Sequence, residues 1–310
     1  MMDINPYNQT RLLGLDKYIS ELINLFEKEI LPNKILLSGL KGIGKSTLAY
    51  HLVNYSLSKD EEFSYDKINF KINENNQSFK TIQNKSNPNF ILIDIHADKK
   101  SIDINQIRNL ILNLNKSSFN KKPRFVLIDN IEYLNINSVN ALLKIIEEPT
   151  DNVHFILINN NKKILSTLLS RCINFKIFLT NKECLEISNN LLDDKLHNLI
   201  NEDLRNYYLT PGNTHQLVSF AKNNNYDLAN SDLKKFLKFI IKDNQYKKNI
   251  QIKYLFFDLI EYYFRKINLS FTSTIYDKYI YFIKKISDTK RFNLDEETLF
   301  MEFEEEILNG

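Results

Sequence analysis

The chain has 310 residues, 43% of them hydrophobic, and its 41 Lys and Arg against 38 Asp and Glu leave a formal charge of +3. That length exceeds one ordinary domain and suffices for two or three units, each with its own core. The near balance of charge excludes the broad cationic surface with which a protein embraces DNA phosphates, and the two cysteines, Cys172 and Cys184, are too few for a disulfide framework or a four-ligand zinc module. No zinc site is expected. The start, Met1 to Pro6, lacks a basic patch leading into an apolar run, and no segment has the apolar length of a membrane span. A soluble, cytoplasmic protein without membrane contact is the expectation.

In chain order, Ile19, Leu22, Ile23 and Phe26 recur at helical spacing ahead of Pro32, which predicts an amphipathic helix. Lys34-Ile35-Leu36-Leu37-Ser38 is a short apolar run ending at Gly39, and beyond Gly44 the residues Leu48, Leu52 and Val53 return to helical spacing: strand, glycine loop, helix. Phe90 to Ile93 and Phe125 to Ile128 read as buried strands separated by a helix carrying Ile104, Ile107, Leu110 and Ile111. A helix follows from Ser138 to Glu148, stopped by Pro149, then a strand from Val153 to Ile158. Strands alternating with helices predict an α/β fold with a parallel sheet covered on both faces. From about Asn181 strand signals fade. Residues 179–224 read as a small helical unit with a single break at Pro211-Gly212, the Asn223-Asn224-Asn225 stretch marks a linker, and residues 225–310 carry long helical patterns rich in aromatic side chains, expected to serve as packing.

Gly39-Leu40-Lys41-Gly42-Ile43-Gly44-Lys45-Ser46-Thr47 satisfies the phosphate-loop pattern G-x-x-x-x-G-K-[ST]. Its glycines allow backbone N–H groups to converge on phosphate oxygens, Lys45 matches the charge of the outer phosphates, and the Ser46 hydroxyl suits a Mg²⁺ ligand at a helix N-terminus. Glycine is scarce in this chain, yet three of its six glycines fall within these nine residues, between a strand and a helix. ATP or ADP with Mg²⁺ is therefore the expected ligand, held by Gly39, Gly42, Gly44, Lys45, Ser46 and Thr47.

The strand Phe125 to Ile128 ends in Asp129, placed to support the Mg²⁺ at the C-terminal edge of the sheet. The next residue is Asn130, where a hydrolysing site would put a glutamate. An amide cannot accept the proton of an attacking water, so weak intrinsic hydrolysis is expected.

Leu127-Ile128-Asp129-Asn130, then Leu134-Asn135, then Asn140-Ala141-Leu142-Leu143-Lys144 running to Glu147-Glu148-Pro149, and finally Ser170-Arg171-Cys172, resemble the signature of bacterial clamp-loader subunits of the AAA+ class. Leu13-Gly14, Thr47-Leu48-Ala49 and Ile104-x-x-Ile107-Arg108 extend the similarity to about residues 5 to 178.

That resemblance implies an AAA+ nucleotide-binding domain over residues 1–178, a helical lid over 179–224 and a helical collar, used for oligomerisation, over 225–310. It implies that Arg171 is an arginine finger acting on a nucleotide held by a neighbouring subunit. Partners would be gamma/tau and delta subunits in a hetero-pentamer that places a sliding clamp on primed DNA, in company with a polymerase but not itself one. The family's sensor-1 residue is usually Thr or Ser; this chain offers Asn159 or Asn160. Where hydrolysing subunits have a sensor-2 arginine it has Asn213, Thr214 and His215. These departures point to the delta-prime-like members; the alternatives are an ATP-hydrolysing gamma/tau-type subunit and a nucleotide-free scaffold.

Overall fold

Short runs dominated by Val, Ile, Leu and Phe favour extended backbone because branched and aromatic side chains pack well on a pleated surface. They form β1 (Lys34–Ser38), β2 (Phe90–Ile93), β3 (Arg124–Ile128) and β4 (Val153–Asn159), joined by β5 (Ile173–Lys176). This computed structural model describes residues 3–95, 99, 101–116, 120–147, 152–267, 273–292 and 294–309. All strand pairs are parallel, in the order β2-β3-β4-β1-β5. In register, Ile93 lies beside Ile128, Ile128 beside Leu157, and Ser38 between Asn159 and Lys176.

Parallel neighbours need long crossovers, and the intervening chain supplies them as helices. After α1 (Asp16–Glu27), which precedes β1, they are α2 (Lys45–Ser58), α3 (Gln77–Gln83), α4 (Ile104–Leu114), α5 (Ile136–Glu147) and α6 (Ser166–Leu169). Ile107 and Leu110 of α4 and Leu142 and Ile146 of α5 share one apolar cluster with Leu36, Val126, Ile128, Phe155 and Leu157. The alternate strand residues Ile35, Leu37, Phe125, Leu127 and Ile156 are equally buried, so both sheet faces are covered. Helix α4 begins at a capping box, in which the Asp103 carboxylate accepts from the Gln106 backbone N–H and the Gln106 side chain accepts from Asp103 N–H. The α/β P-loop fold of the AAA+ kind is therefore present. The helix expected to end at Glu148-Pro149 is described as far as Glu147, and those two residues lie outside the described ones.

Contacts divide the chain into two compact units: Met1–Ile187 with Thr210–Gly212, and Ser188–Leu209 with Asn213–Gly310. After α7 (Asn181–Leu192) come α8 (Leu196–Leu199), α9 (Glu202–Arg205) and α10 (Pro211–Asn223), then α11 (Leu233–Lys242), α12 (Gln245–Lys248), α13 (Ile250–Ile267), α14 (Ser273–Phe292) and α15 (Glu296–Phe303). The single break expected at Pro211-Gly212 is corrected here. The chain turns after α7, α8 and α9, and Pro211 opens a helix, since its missing N–H is not needed in a first turn. Asn225, with φ 51°, ends α10 in the left-handed region, and Tyr226 N–H caps the Ala221 carbonyl at 2.9 Å.

The second unit has one apolar cluster, in which Leu204 and Leu217 lie with Phe236, Phe256, Phe282, Phe300 and Phe303. Phe300 meets Tyr246, Phe256 and Phe257 at ring-centroid distances of 4.7, 4.7 and 5.2 Å. Among the described residues no helix is long and apolar enough to cross a membrane.

Candidate functional site

The carboxyl ends of β1, β2, β3 and β4 lie along one edge of the sheet, and β1 separates β4 from β5, so successive connections leave it in opposite directions. Such a reversal opens a crevice at that edge. The phosphate-loop glycines shape it. Gly42 and Gly44 adopt φ of 83° and 93°, a region closed to most side chains, and Gly44 is the N-cap from which α2 starts. A Cβ on Gly39 would lie 2.4 Å from the Ile177 carbonyl oxygen, so only glycine fits where the loop leaves β1.

Lys45, in the first turn of α2, is only 3% exposed. Its ammonium donates to the Gly39 and Leu40 carbonyls at 2.9 and 2.6 Å and to Asn160 Oδ1 at 2.9 Å. All three acceptors are neutral. Burial pulls its pKa down to about 8, against the attraction of Asp129 and Glu132. A buried cation hydrogen-bonded only to uncharged oxygens, on the first turn of a helix whose N-terminus faces the same loop, has the chemistry to receive an anion.

Beside it, Ser46 Oγ–H donates to Asp129 Oδ2 at 2.5 Å. Burial pushes the Asp129 carboxyl up to about 6, the Ser46 hydrogen bond pulling the other way and the Asp94 charge adding to the rise. Asp94 follows β2 directly, and its own pKa is raised, chiefly by burial. Among the described residues no group of three or more His, Cys, Asp or Glu is placed to hold a metal. A cation here would be ligated by Ser46, Asp129 and the oxygens of its own nucleotide, as hard Mg²⁺ with few protein ligands prefers.

Asn130 lies in the left-handed region at φ 58°, donates to Asp94 Oδ1 at 2.9 Å and accepts from Asn160 Nδ2 at 2.8 Å. Both ends of its amide are thus engaged within the chain. Asn160 also donates to Glu132 Oε1 at 2.7 Å, which makes it the hub joining Lys45, Asn130 and Glu132. Asn159 is turned elsewhere, its amide donating to the Lys162 carbonyl at 3.0 Å and accepting from Lys162 N–H at 3.1 Å. Of the two asparagines, Asn160 is the one in contact with the phosphate-loop lysine. Asp94 and Glu132 escaped the sequence reading, because neither stands in a recognisable motif and only the sheet order brings them to the loop.

Arg171 follows α6 and is apart from this network of hydrogen bonds. Its Nε and Nη2 both reach Glu147 Oε1, at 2.9 and 2.6 Å, and Nη1 donates to the Thr167 carbonyl at 2.8 Å. Asn213, Thr214 and His215 occupy the first turn of α10, where no fixed cation stands.

A family model described as DNA polymerase III, delta subunit, matches residues 14–180. The chain is similar to a DNA polymerase III subunit delta' of Buchnera aphidicola from Baizongia pistaciae, 31% identical over 49% of this chain and 45% of that protein. It is 29% identical to a DNA polymerase III subunit gamma of Buchnera aphidicola from Schizaphis graminum, over 57% of this chain and 47% of the relative. The match thus spans about half the length of these relatives. A second subunit delta', from the same Schizaphis graminum symbiont, is 27% identical over 80% of this chain and 76% of that one. A solved gamma subunit-related protein of Thermotoga maritima is 18% identical with TM-score 0.49, over 92% of this chain and 96% of that one. With the phosphate loop, the sheet-edge aspartate and the helix of Asn140 to Glu147 lying inside the matched residues, the chain belongs to the delta-prime family of DNA polymerase III clamp-loader subunits.

Proposed function

We propose that this chain binds ATP or ADP with Mg²⁺ as a stable structural ligand, turns it over negligibly by itself, and supplies Arg171 to the nucleotide of a neighbouring subunit. The assembly is a hetero-pentamer with gamma/tau and delta subunits, working in the cytoplasm to open a sliding clamp and set it on primed DNA. In it residues 1–178 form the nucleotide domain, 179–224 the lid and 225–310 the collar.

The observation that carries the nucleotide reading is the buried Lys45 ammonium with neutral partners only. Phosphate oxygens replace the Gly39 and Leu40 carbonyls as its acceptors and remove the cost of an unpaired buried charge. Gly39, Gly42, Gly44 and Thr47 shape and continue the cradle, Ser46 and Asp129 hold the Mg²⁺, and Asn160, rather than Asn159, is the residue placed to sense the outer phosphate. Mg²⁺ would supply charge neutralisation for the phosphates.

Poor hydrolysis is supported by Asn130, an amide at the base position whose two ends are committed to Asp94 and Asn160. This favours a delta-prime role over a gamma/tau-type motor. The test is thermal unfolding with and without ATP and Mg²⁺. At about a hundredfold excess over Kd the ligand stabilises by about 2.7 kcal/mol, and Lys45→Ala abolishes the gain. A wild-type protein whose unfolding ignores ATP would return the chain to a nucleotide-free scaffold, and brisk hydrolysis without partners would contradict the structural role of the ligand.

A further inference from the structure

We propose that Glu147 is the positioning residue of Arg171, holding its guanidinium as a fixed fork whose remaining donors face outward for the neighbour's phosphate. The inference rests on the arginine-finger reading of Arg171 and deepens it.

The geometry is not that of a casual surface pair. Two nitrogens of one guanidinium, Nε and Nη2, converge on a single Glu147 oxygen, while a second element holds the third nitrogen through the Thr167 carbonyl. Glu147 is the last described residue of α5 and Thr167 lies in α6, so the fork is gripped from two helices. Of the five N–H donors of an arginine, these contacts use one on Nε, one on Nη1 and one on Nη2, leaving a donor on each terminal nitrogen. Two remaining N–H groups are enough to donate to a phosphate. The Arg171 side chain stays about one-third exposed, at 34%, so it is steadied without being withdrawn from a partner.

Among the described residues Arg171 is the only charged group that Glu147 pairs with. An arginine released from this grip would spread over many rotamers, and charge developing on a phosphate would have to pay to order it. Held in place, it meets that charge already oriented.

The test uses the full chain in an assembly reconstituted with its gamma-type and delta subunits, measuring clamp-stimulated ATP turnover. Glu147→Ala is expected to lower kcat about tenfold or more while KM stays within about twofold. Glu147→Gln, which keeps the reach and an acceptor oxygen, restores part of the loss. In an Arg171→Ala background Glu147→Ala has no further effect. Apart from turnover, the Arg171 Nε–H of the free chain should give a slowly exchanging NMR signal that merges with the solvent-averaged arginines in Glu147→Ala. Full kcat in Glu147→Ala, or an equal extra loss in the Arg171→Ala background, overturns the positioning role, as does an Nε–H signal indifferent to Glu147. Full turnover in Arg171→Ala alone instead removes the finger, and this inference with it.

Discussion

Asp129 is buried where its charged form costs stability. Burial lifts its carboxyl from 3.8 to about 6. The folded state thus favours the protonated form. The favourable contribution is complete below about pH 4, the unfolded value, and is lost as pH rises through 6. At neutral pH, holding the buried carboxylate in its charged form destabilises the fold by about 3 kcal/mol. Asp129→Asn should therefore stabilise the ligand-free protein by about 2 kcal/mol at about pH 7.5, with the difference fading towards pH 4, while removing the Mg²⁺-dependent part of the ATP stabilisation. Urea unfolding at the two pH values checks the first half and thermal shift with and without Mg²⁺ the second. Loss of stability at the higher pH would mean that the carboxylate is a structural anchor. That Lys45, Ser46 and Asp129 meet was legible because each stands in a motif whose spacing is set by phosphate chemistry. The sequence did not separate Asn159 from Asn160: adjacent strand-end residues point to opposite sides, and only the register with β1 decides which one faces the loop.

At the scale of elements, the loop between β1 and α2 is as much a packing solution as a binding one. Gly39 N–H donates to the Asn159 carbonyl at 3.2 Å, and Ile177 N–H donates to Ser38 O at 2.7 Å, so the chain leaves β1 wedged between its two neighbours. A methyl group on Gly39 would collide with the Ile177 carbonyl at 2.4 Å and Ile43 Cδ1 at 2.6 Å. Because the first of these atoms is backbone, relief requires the chain just beyond β5 to move. Gly39→Ala should cost about 3 kcal/mol and weaken ATP binding as well. Gly44→Ala, whose Cβ would approach only the Leu15 side chain, at 3.1 Å, but whose φ is 93°, should cost about 1 kcal/mol. Equal losses for the two in urea unfolding would refute the packing argument. The three central strands, β1, β3 and β4, were legible because parallel strands buried on both faces read as unbroken apolar runs. The edge strand β5 was not. Ile173, Asn174 and Lys176 are exposed, and only one face of so short a segment carries a pattern. The extra breaks between α7 and α10 were missed for a related reason: helices of four residues are too short to display a period.

Across the whole molecule, two units with separate cores predict two separable unfolding events. The second unit draws its cohesion from interlocked rings. Phe300 is fully buried against Tyr246, Phe256 and Phe257, while Phe303 meets Tyr263, Phe264 and Phe282. Such edge-on and tilted contacts among large rings hold each ring in a defined place. Phe300→Ala should cost that unit about 3–5 kcal/mol, lowering its transition in a calorimetric scan by about 10 °C or more. The first unit contains the entire phosphate loop together with Asp129, Asn160 and Gly212, whose N–H donates to the Gly42 carbonyl at 2.9 Å. Its transition, and the upward shift that ATP with Mg²⁺ brings to it, should be unchanged in the same variant. If Phe300→Ala instead drags both transitions down together and erases the nucleotide shift, the phosphate loop depends on the helical core for its shape, and the ligand cannot be a private structural element of the α/β unit.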